Sequence, residues 1–83
     1  MRAEDILPDA VNQGEFNGVI VRKGTVAAFL ANARVWSDPA TDRAQRQAVE
    51  RDLIDALPAL RALGLFDVLS IQDAALRRLV ETR

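Results

Sequence analysis

Apolar residues recur at helical spacing from residue 25 onward and at strand spacing only in a short stretch before it. Val26, Phe29, Leu30 and Ala33 stand at i, i+3, i+4, i+7, which predicts a helix over 25–36 with this stripe turned inward. Thr25 is suited to cap its start. The opposite side carries Ala27, Ala28, Ala31 and Val35, with Asn32 and Arg34 as the polar residues. A helix apolar nearly all round needs cover on both sides. Ser37-Asp38-Pro39 stops it, and Asp38 at the cap with Pro39 at the first helical position predicts a restart. The second helix then spans 39–63. It is polar from Thr41 to Gln47, then carries an apolar stripe at Val49, Leu53, Leu57 and Leu60. Pro58 has no N–H and predicts a break there. Gly64 suits the left-handed residue past a helix end, with Leu65 folding back on Leu60. An apolar connector, 65–69, leads to a last helix over 70–82. Ser70 is its predicted cap, and Ile71, Ala75, Leu76, Leu79 and Val80 its inward face.

Before residue 25 the period changes. Ala3 to Leu7 is read as one helical turn, ended by Pro8. Asn17-Gly18 is a type I′ hairpin signal, because both central residues must take positive φ. The β-branched run Val19-Ile20-Val21 follows. The expectation is a hairpin of 11–16 with 19–22. The fold class expected is α+β, mostly α: a small N-terminal β-hairpin followed by three main helices, in a single domain over 1–83.

Length and composition narrow the function classes. An 83-residue chain has a thin core and a small stability margin. It is 49% apolar, which is enough to fold, and it contains no histidine or cysteine. The commonest general base, thiolate nucleophiles and the usual transition-metal ligands are therefore missing, and no metal or cofactor is expected. The lack of cysteine fits a reducing compartment, so a cytoplasmic location is expected. The formal charge is −1, and the arginines alternate with carboxylates rather than forming a stripe. That argues against nucleic acid, including a helix-turn-helix reading. No run of about 20 apolar residues spans a membrane, and the first residues do not read as a signal peptide.

Arg22-Lys23-Gly24-Thr25 is the candidate ligand-binding stretch. A phosphate loop needs glycine before lysine, and here the order is reversed. The plain alternative is a strand-to-helix turn, although two cations beside a helix N-terminus still attract an anion. Asp38 and Asp42 lie four apart at a helix start, where capping explains them. Asp52 and Asp55 belong to a solvated, arginine-rich face. Trp36 follows the apolar helix, on the edge of Phe29. It either seals the rim of the core or anchors an interface.

The stretch Asn17-Gly18 through Arg22-Lys23-Gly24-Thr25-Val26-Ala27-Ala28-Phe29-Leu30-Ala31-Asn32, with Ala56-Leu57-Pro58 and Gly64-Leu65-Phe66-Asp67, resembles a family of short bacterial proteins of unknown function. The resemblance implies no activity and agrees with the hairpin-then-helices order. From the residues themselves, the expectation is a non-catalytic interaction protein that forms a homo-oligomer or binds another protein. Its expected interface is Ala27, Ala28, Ala31, Val35 and Trp36. The alternative is a small-ligand-binding protein or enzyme using Arg, Asp and Glu near the hairpin-to-helix turn.

Overall fold

The computed structural model describes all residues, Met1–Arg83. The elements in order are α1 (Ala3–Ile6), β1 (Gln13–Phe16), β2 (Val19–Arg22), α2 (Thr25–Ser37), α3 (Arg43–Leu63), α4 (Leu65–Val68) and α5 (Ala74–Glu81). The architecture is α+β and mostly α. The apolar stripe of α3 is the spine: Leu53, Leu57 and Leu60 are buried along it. Phe29 and Trp36 of α2 and Leu76 and Val80 of α5 complete the core cluster. Arg61 joins α5 to α3 by donating from Nη2 to the Val80 carbonyl at 3.0 Å, an oxygen that also accepts from the Arg83 N–H at 3.2 Å.

The hairpin is antiparallel, with Gln13 opposite Arg22, Gly14 opposite Val21, Glu15 opposite Ile20 and Phe16 opposite Val19. Asn17 and Gly18 have φ of 49° and 81°, as a type I′ turn requires. The turn is tethered to the end of α3, because Asn17 Nδ2 donates to the Ala62 carbonyl at 2.7 Å. Alternation puts Phe16, Val19 and Val21 on the sheltered face and Ile20 on the exposed one. Gly64 takes φ 79°, and its N–H donates to the carbonyls of Arg61 and Leu60, so α3 ends where the glycine predicts.

Several expectations are corrected. The first strand begins at Gln13, not at residue 11, and Val11 instead donates its N–H to the Pro8 carbonyl. Thr25 is the first helical residue, not the cap. Left-handed Gly24 holds the cap position, and the Thr25 hydroxyl donates back to the Arg22 carbonyl at 2.7 Å. Asp38 and Pro39 do not open α3. Asp38 Oδ1 accepts from the Ala40 N–H in a local turn, and Asp42 caps α3 by accepting from the Gln45 N–H at 2.8 Å. The last helix starts after Asp73, which accepts from the Leu76 N–H, and not at Ser70. Residues 65–68 form a short helix, not a connector.

The predicted break at Pro58 is also absent, since α3 runs through it. Proline costs a helix interior about 3 kcal/mol. Leu53, Leu57 and Leu60 lie on both sides of it, and each buried leucine contributes about 1.5–3 kcal/mol. The continuous stripe outweighs one missing hydrogen bond, and Pro58 itself faces solvent.

Candidate functional site

The rotation of α2 decides which surface is free. Phe29, Ala33 and Trp36 pack into the core, whereas Val26 and Leu30 do not, and Leu30 is 54% exposed. The inward stripe read from the sequence was therefore turned too far toward Val26 and Leu30. At about 100° per residue, Trp36 lies only some 20° from Phe29, while Leu30 lies about 100° away. The largest side chain sets the buried arc. The signal was present in the sequence: an aromatic pair seven residues apart outranks a leucine one step off the line.

The freed residues form one wall of an apolar groove of about 670 Å³. Leu65, Phe66 and Leu69 face them, and the Phe29 and Phe66 rings meet edge to face at 6.3 Å on its floor. Leu69 is 58% exposed at the lip. Ala27 and Ala31 continue the wall outward, both exposed. From Val26 to Ala31 the helix therefore presents an uncharged strip to solvent, with Arg34 the one charge along α2.

The expected interface residues separate into three groups. Ala27 and Ala31 border Leu30 on this strip. Ala28 is exposed on the other flank, and Val35 is half-buried. Trp36 is buried: its Nε1–H donates to Glu50 Oε1 at 3.0 Å, and the Arg46 guanidinium lies 4.5 Å over its ring. Its surface is occupied within the chain, as the rim reading requires. The sequence pattern does not show Leu30 and Leu69 as surface residues, because it places Leu30 inside and reads 65–69 as a plain connector.

Around Arg22, Lys23, Gly24 and Thr25 the polar groups diverge. The Lys23 ammonium turns back and donates to the carbonyls of Pro8 and Asp9, at 2.9 and 3.3 Å. The Thr25 hydroxyl is spent on Arg22, and Gly24 shapes the turn with φ 90°. Arg22 stands exposed on the strand end. No three carboxylates gather into a group able to hold a metal ion. No helix is long and apolar enough to cross a membrane.

No protein family, no curated protein and no solved structure matches this chain.

Proposed function

We propose that the chain is a non-catalytic interaction protein that self-associates through the exposed strip of α2 and the adjoining groove. The observation that carries this reading is the uncharged apolar surface Val26, Ala27, Leu30 and Ala31, open to solvent and continuous with Leu69. A patch of this kind on a small chain marks an interaction site. A second copy suits it for two reasons. A two-fold axis sets the strip against itself, so uncharged surface meets uncharged surface, with Arg34 and Asp73 lining the groove beyond it. The alanines also let two helix axes approach within about 8–10 Å. Alone, α2 is about 20 Å long at 1.5 Å per residue, too short for the roughly 800 Å² per partner of a standard interface. The groove lip at Leu69 supplies additional surface. The absence of cysteine supports a cytoplasmic setting for this role.

Light scattering at micromolar concentration tests the reading. The wild type is expected to be dimeric, and Leu30→Arg or Ala31→Arg monomeric with an unchanged circular dichroism spectrum. A wild type that stays monomeric at 100-fold higher concentration would overturn it. So would a dimer that both substitutions leave intact.

A further inference from the structure

We infer that residues 1–12 form a detachable strap, latched to the hairpin at Leu7-Pro8-Asp9 and able to open while the helical core stays folded. The inference does not rest on self-association through α2, although Val26 and Ala27 of that strip also line the recess beside the strap. Of these residues only Leu7 is partly buried, and α1 contributes nothing to the core. Two catches hold the strap. The first is apolar: the Leu7 side chain fills the space that a side chain at position 14 would need. A Cβ built on Gly14 would lie 2.9 Å from Leu7 Cδ2 and 3.1 Å from the Phe16 ring. A glycine inside a strand is a mark of such close approach. The second catch is polar. Lys23, the sole lysine of the chain, donates its ammonium to the Pro8 and Asp9 carbonyls. Both catches act on three consecutive residues. On the hinge side, the Lys23 N–H donates to the Asn12 carbonyl at 2.7 Å and extends the ladder by one bond.

What lies beneath the strap argues that it is poised rather than packed. It arches over a recess of about 530 Å³ whose apolar lining includes Ile6, Phe16, Val21, Val26 and Leu63. Ile6 and Leu63 both remain exposed around this recess. The recess is open to solvent at its rim, so the strap borders it without filling it. Within the strap, α1 is one turn held by the Arg2 N–H on Asp5 Oδ2 and by a solvent-exposed Arg2–Glu4 pair. A turn this short does not persist once undocked. Opening therefore removes the whole segment and raises the exposure of Phe16 and Val21.

Nuclear magnetic resonance on the full chain tests this. In the wild type, a nuclear Overhauser contact between the Leu7 methyls and the Phe16 ring is expected, together with protection of the Leu7 and Val11 amides. In Lys23→Gln, exchange at those amides should accelerate about tenfold, in keeping with loss of a charge-assisted hydrogen bond. Leu7→Ser, altered on the strap itself, should accelerate Val11 by at least as much. In the wild type, the Leu7 and Val11 amides should be protected at least about tenfold less than the buried α3 amides, because the strap opens without the core. Three results would overturn the inference: no Leu7–Phe16 contact in the wild type, strap exchange unmoved by both substitutions, or strap and α3 amides sharing one opening free energy in the wild type.

Discussion

At the scale of single residues, Asn17, Gly18, Gly24 and Gly64 hold the backbone at positive φ. Asn17-Gly18 and Gly64 need positive φ, and few residue types tolerate it, so each position announces its own geometry. Gly64→Val is therefore expected to destabilise by about 1 kcal/mol or more, and by more than Gly64→Ala, in urea melts. The caps were less legible because capable residues compete within a few positions. Asp38 and Asp42 both qualify. The Thr41 hydroxyl, by donating to the Val35 carbonyl at 2.7 Å, helps fold the intervening residues into a turn and leaves Asp42 to start the helix. Gln45, three residues after Asp42, is the local sign that favours it. The polar half of α3 holds one residue with a specific packing contact. Arg46 stacks on Trp36, so Arg46→Ala should cost about 0.5–1 kcal/mol by the same melts. Exposed Gln47→Ala should stay within about 0.5 kcal/mol.

At the scale of elements, type and order were legible and orientation was not. Periodicity identifies α2 as a helix whichever way it is rolled, because nearly every position on it is apolar. What rolls it is the fit of Phe29 and Trp36 against α3; their seven-residue spacing is the one local sign of it, and the surrounding apolar positions mask it. The candidate surface was misread for that reason: the alanine side was anticipated, and the leucine side beside it was not. The α3 helix teaches the reverse lesson. Its stripe was legible, and the effect of Pro58 was overestimated because the packing on both sides of it was not weighed. Pro58 is exposed, so Pro58→Ala should restore a helical hydrogen bond without disturbing any contact. An increase in stability of about 1 kcal/mol is expected, after allowing for the greater freedom the unfolded chain regains. Thermal melts of the two proteins check it.

At the scale of the whole molecule, the thin core predicted from length is what the fold contains. Eight residues are buried, and Leu53 and Leu60 are the largest side chains fully enclosed. Leu60→Ala should cost about 2–5 kcal/mol. Against total stabilities of roughly 0.05–0.15 kcal/mol per residue, that is a large share of what a chain this size has. Circular dichroism at 25 °C is expected to show a substantially unfolded population in this variant, whereas Leu30→Ala should leave the helical signal intact.

The placement of Trp36 also has an optical consequence. It is the sole indole, and the chain has no tyrosine. With its ring enclosed between α2 and α3 and capped by a guanidinium, emission excited at long wavelength registers the docking of those two helices and nothing else. The N-terminal strap and the hairpin contribute no comparable chromophore. A fluorescence titration will therefore follow the helical half alone, while far-ultraviolet dichroism averages over both. Any gap between the two transition curves becomes a direct record of how independently the N-terminal third melts.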